Sequence, residues 1–181
     1  MLSLVAIIFA GIGVAGRLLP HAANFAPVGA LALWSGAYLP KRWSVVVPLA
    51  VMFVSDAIIG FYNPLTMVVV YGSFAAIAWL GWFVREKKTA GGIALASFGG
   101  SCLFYLTTNF AVWFSSSWYP PTLAGLEYCY FLALPFFKNT LLGDFTYAAV
   151  FFGTYELARY INRRRATSVS IVSRVPIVSL Q

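Results

Sequence analysis

The feature that most restricts this chain is where its charges fall. Between Leu2 and Tyr160 they are confined to short connections and a few isolated positions, with long apolar runs between them. Six runs can be drawn: Leu2 to Gly16, Pro27 to Leu39, Trp43 to Ile59, Leu65 to Val84, Ala90 to Phe114 and Phe136 to Tyr160. Most approach or exceed the roughly 20 residues that cross a bilayer as helix, and the period-two alternation of an outer-membrane barrel is missing. Only 9% of the residues are charged, against roughly 25% in soluble domains. The chain therefore reads as an all-α integral membrane protein, with about six transmembrane helices in one bundle over residues 1–165. A loosely ordered cytoplasmic tail is expected over 166–181. The second run is short and reads as tilted, sunken or extended by its flanks. Between the fifth and sixth runs, "SSSWYPPTLAGLEYCYFLALP" reads as a long outer loop carrying a short helix.

The net charge of +7 would suggest nucleic acid in a soluble protein, but here the cations sort by connection. Lys41 and Arg42 join the second and third runs, Arg85, Lys87 and Lys88 join the fourth and fifth, and Arg159, Arg163, Arg164 and Arg165 close the sixth. With six crossings all these lie on one side, which the positive-inside rule makes the cytoplasm. Counting Arg174, ten of the twelve basic residues fall there, and only Arg17 and Lys138 face outward. Both termini are then cytoplasmic, the location is a bacterial cytoplasmic membrane, and no nucleic-acid partner is expected. The first run also invites reading as a cleaved signal peptide, but it lacks a basic leading region, and its removal would spoil the charge pattern. Cys102 and Cys129 show neither CxxC spacing nor a neighbouring His, and read as packing residues.

The polar residues that the positive-inside rule leaves unexplained gather at the outer end. Arg17, His21 and Asn24 lie in the first outer loop. Asp56, Tyr62 and Asn63 end the third run, Asn109, Trp113, Trp118, Tyr119 and Glu127 belong to the fifth run and its loop, and Lys138, Asn139 and Asp144 begin the sixth. Asp56 and Asp144 stand in apolar helices, where an unpaired charge costs a few kcal/mol. Each has two readings: a structural ion pair with Arg17, Lys138 or protonated His21, or one wall of a polar pocket for a solute. Asn139 and Gly143 are one helical turn apart, as are Asp56 and Gly60, so that a polar and a small residue share a face. The outer aromatics read either as an interfacial belt or as stacking surfaces for a ring-bearing ligand. Gly11 with Ala15 and Ala32 with Gly36 form small-xxx-small pairs, for internal packing or for docking a partner membrane protein.

Enzyme chemistry finds little support. GxSxG and HExxH are missing, His21 is the single histidine, and there is no phosphate-binding loop. No catalytic residue, metal or cofactor is expected, and an intramembrane aspartyl protease built on Asp56 and Asp144 would lack its flanking signatures.

The stretches "GRLLPHAANFAPVGALALWSGAYL", "PLAVMFVSDAIIGFYNP", "FYLTTNFAVWFSSSWYPPTLAGLEYCYFLALPFFKNTLLGDF" and "FFGTYE" resemble a bacterial family of small membrane transport proteins of unknown substrate. That family looks like the substrate-binding S components of energy-coupling factor vitamin transporters. The resemblance implies six helices with cytoplasmic termini, capture of a small solute such as a vitamin from outside, and a transmembrane coupling subunit with ATPases as partner. Carried over by position, Arg17, His21 and Asn24 would form the gate. Asp56, Asn63, Asn109, Trp113, Tyr119, Glu127 and Asn139 would line or close the pocket, and Gly11, Ala15, Ala32 and Gly36 would face the coupling subunit. The alternative expectation is an assembly protein whose outer polar cluster holds no solute.

Overall fold

The protein, described here over residues 1–172 by a computed structural model, is helical throughout its ordered elements. Among the described residues there are six helices: α1 (Leu2–Leu18), α2 (Val28–Tyr38), α3 (Lys41–Ile59), α4 (Pro64–Phe83), α5 (Ala90–Ser115) and α6 (Leu123–Val172). Of these, α3, α4 and α5 are long and apolar enough to cross a membrane. The expected tail falls mostly on residues 173–181, outside the described residues, and α6 extends to Val172.

The short second run is a sunken helix. α2 is only 11 residues long, ~16 Å at 1.5 Å per residue, about half a bilayer core. It packs against all five other helices, and every residue from Val28 to Ala37 is buried. Its sequence "VGALALWSGAY" is apolar on all sides, the pattern of a helix with no solvent face. Trp34 anchors it, with Phe9 of α1 edge-on at 4.9 Å and Tyr155 of α6 edge-on at 5.4 Å. Close approach to α4 depends on two glycines. A Cβ on Gly36 would collide with the Ala78 carbonyl, and one on Gly81 with the Leu33 carbonyl. Ala32 and Gly36, expected at a partner-docking face, are thus enclosed within the protein, whereas Gly11 and Ala15 on α1 are exposed.

A buried helix leaves unsatisfied N–H groups at its start and carbonyls at its end, with partial charges of opposite sign. Both ends of α2 are met by side chains from other elements. Arg85, just past α4, donates to the Gly36 carbonyl at 2.7 Å and to the Leu39 carbonyl. At the start, where Pro27 supplies no side-chain cap, the carboxylate of Asp144 lies over the first turn.

The expected outer loop with a separate short helix is corrected by the structure. The connection after α5 is brief, and α6 starts at Leu123 and runs unbroken through Pro135. "LAGLEYCYFLAL" is made largely of good helix formers, and a proline within an apolar helix frees one carbonyl turn that neighbours can satisfy. Here α5 lies alongside that turn: Tyr105 donates to the Tyr130 carbonyl, next to the Phe131 carbonyl that Pro135 leaves without its helical donor, and Tyr130 donates to the Leu106 carbonyl, each at 2.7 Å.

Contacts gather the connections at 19–27, 60–63 and 116–122 at one end: Arg17 meets Asp56, Thr66 lies 3.2 Å from Ser115, and Asn139 reaches the Ala23 carbonyl. The opposite end carries Lys41, Arg42, Arg85, Lys87 and Lys88. There Lys88 lies 4.9 Å over the Tyr38 ring, and Tyr38 donates to Glu156 at 2.6 Å.

Candidate functional site

At the end away from the basic cluster, α1 finishes on a turn that carries Arg17, and α3 brings Asp56 beside it. Arg17 Nη2 lies 2.7 Å from Asp56 Oδ1, and Tyr71 of α4 donates to Oδ2 at 2.8 Å. The other guanidinium arm donates to Ser55 Oγ at 2.6 Å and to the Met52 carbonyl at 3.3 Å. Asp56 is 1% exposed. With a cation on one oxygen and a hydroxyl on the other, the charge is compensated in the way a buried carboxylate requires. Tyr62, in the connection after α3, feels the same carboxylate: burial and the Asp56 charge push its hydroxyl up to about 12.

Asp144 is held differently. It is 5% exposed, Ser101 of α5 donates to its Oδ2 at 2.6 Å, and its carboxylate lies against the first turn of α2. Oδ1 lies so close to α2 that a Cβ on Gly29 would collide with it. The carboxylate therefore acts as the missing N-terminal cap of α2, supplied from another helix. Lys138, a candidate counter-ion six residues away, is exposed, and the partners of Asp144 are neutral.

Two cavities adjoin these groups. One, of about 220 Å³, lies beside α2 and is bordered by Arg17, Tyr62 and Asp144 together with apolar Val28, Met52 and Phe74. The other, of about 620 Å³, lies between α4, α5 and α6, with Asn109, Tyr105, Tyr119 and Phe137 on its walls. Asn24, Val70, Phe104 and Thr140 border both, so the two are adjacent. The larger falls in the size range of small-molecule sites.

The connection between α1 and α2 covers this region. Asn24 takes a left-handed φ of 65°, a conformation its short polar side chain tolerates better than most. Asn139 of α6 donates to the Ala23 carbonyl at 3.0 Å, and a Cβ on Gly143 would sit 3.3 Å from Phe25 Cα and Ala26 N. The shared face of Asn139 and Gly143 thus receives this connection. The matching pair on α3 has no such role, for nothing lies within 4 Å of a Cβ on Gly60.

Of the residues proposed from sequence, Arg17, Asn24, Asn109, Tyr119 and Asp144 border the cavities. Asp56 stands behind Arg17, and Asn139 fastens the covering connection. Asn63 is the N-cap of α4, accepting from the Thr66 amide at 3.1 Å. Trp113 donates to the Pro120 carbonyl at 2.9 Å and pins the α5–α6 connection. His21 is exposed with Nδ1 2.6 Å from the Leu19 carbonyl, and Glu127 is exposed on α6; neither borders a cavity. Sequence reasoning missed Tyr71, Ser101, Phe104 and Thr140. Ser97 and Ser101, four apart on an apolar helix and both buried, were a readable sign of an inward polar stripe. Among the described residues, no three His, Cys, Asp or Glu side chains converge as a metal site would need.

The fold and the site define a class: an all-α protein with three helices fit to cross a membrane, and a buried polar cluster beside cavities at one end. Within that class, the chain belongs to the family of unknown function DUF6580, whose model matches residues 1–168. No curated protein and no solved structure matches it.

Proposed function

We propose that this is a multi-pass protein of the bacterial cytoplasmic membrane, with six membrane-embedded helices and cytoplasmic termini. In this reading it captures a small solute at the outer ends of its helices, in the manner of an energy-coupling factor S component binding a vitamin. The observation that carries the reading is the pair of adjacent cavities at the end opposite the basic cluster. The positive-inside rule turns that end outward, and the α1–α2 connection, fastened by Asn139, is the cover through which a solute enters. The walls combine aromatic rings with a few polar groups, as small-molecule sites do. The proposed activity is binding and delivery. The exposed Gly11 and Ala15 leave α1 open to close approach by another helix, the place we assign to a transmembrane coupling subunit with ATPases.

A second reading, an assembly protein with no solute, is favoured by one observation: both oxygens of Asp56 are already occupied, by Arg17 and Tyr71. Native mass spectrometry of the protein taken from its own host membrane separates the two. Capture predicts a retained small-molecule adduct and an uptake defect on deletion; bare protein together with unchanged uptake would establish the second reading.

A further inference from the structure

The chemical class of the solute follows from how the two acidic groups of this end are compensated, and the argument rests on the capture reading above. Arg17 is the cation bordering the smaller cavity, and its guanidinium is spent on Asp56, Ser55 and the Met52 carbonyl. That pair is neutral in sum. Asp144 borders the same cavity, buried to all but 5%, and its partners are a hydroxyl and the start of α2. A helix N-terminus supplies the equivalent of roughly half an elementary charge, and a carboxylate offers about four acceptor positions, of which Ser101 takes one. The wall therefore presents a carboxyl group that pairs with no cation among the described residues, in mainly apolar surroundings, where a cation brought beside it favours the ionised form and is attracted far more strongly than in water. Beyond it, Phe104 leads into the larger cavity, with Tyr105 and Phe137 in contact at 4.6 Å.

We propose that the solute is an organic cation with a planar or apolar body: a protonated amine, amidine or nitrogen-heterocycle cation that pairs with Asp144 while its body extends past Phe104 and Thr140. An anionic solute does not fit, because Arg17, the cation bordering the cavity, is already engaged and the group left without an ionic partner is a carboxyl.

The test uses full-length protein in lipid nanodiscs and three probes of similar shape: benzamidinium, neutral benzamide and anionic benzoate, with affinities measured by titration calorimetry. Benzamidinium is expected to bind roughly 10-fold tighter than the other two, the scale of one hydrogen bond to a charged group. Asp144→Asn, which keeps the shape and the acceptor toward α2, should bring the three affinities to within about twofold of one another, since a neutral hydrogen bond no longer discriminates by charge. Should that variant not fold, the order of affinities in the natural protein decides alone. Equal binding of the three probes, abolished by filling the junction with Thr140→Trp, overturns the cationic class and leaves capture standing. Failure of all three to bind overturns the cationic class, and capture itself then stands or falls on the adduct retained from host membranes.

Discussion

Asp56 and Asp144 are buried to a similar depth at the same end of the protein, yet they are stabilised by opposite means. Asp56 is a closed ion pair, with Arg17 on one oxygen and Tyr71 on the other. Asp144 pairs with no cation among the described residues; it is held by Ser101 against the start of α2. The first arrangement ties α1, α3 and α4 together and leaves no charge over. The second seats a half-length helix and leaves a carboxyl group with no ionic partner beside a cavity. A buried carboxylate in an apolar helix is thus two kinds of object, and only its partners tell which.

The largest effect that would break this comparison is expected at the ion pair. Arg17→Ala strands Asp56 without its cation and should cost about 3–5 kcal/mol, the range for breaking a buried pair, read as a fall in thermal unfolding temperature in detergent. The double change with Asp56→Leu should recover much of it, because removing both charges is far cheaper than removing one. Asp144→Ala comes next, at about 2 kcal/mol, the scale of a lost helix cap, with the Ser101 hydroxyl left unpaired as well. If Asp144 proved as costly as Arg17, a cation would have to be serving it, and the contrast drawn here would collapse. His21→Ala sets the lower bound. Its ring is exposed and touches only the nearby Leu19 carbonyl, so stability should change by no more than about 0.5 kcal/mol.

Much of this was legible in the sequence for physical reasons that also mark its limits. The apolar runs located the helices, because length and charge depletion are properties of a segment alone. The Arg17–Asp56 pairing was among the readings considered, since few cations fall on that side. The partner of Asp144 was not legible. A serine hydroxyl and backbone amides carry no formal charge, and the amides belong to a helix whose place at the centre depends on the other five. The start of α6 was not legible for a related reason, since the stretch read as an outer loop ends on Pro135. Alone it signals a break, and α6 passes through it with Tyr105 of α5 bonded to the disturbed turn. The small pair Ala32 and Gly36 looked the same as Gly11 and Ala15, but the burial of α2 places one pair inside and leaves the other exposed.

The central claim is that the cavities at this end hold a solute against Asp144. An experimental structure of the protein purified gently from its host membrane tests it most directly. The account predicts density for a non-protein molecule beside Phe104 and Thr140, with a nitrogen at hydrogen-bond distance from Asp144 and the Arg17–Asp56 pair intact behind it. Cavities collapsed by inward side chains, or a molecule held by Arg17 with Asp56 displaced, would contradict it.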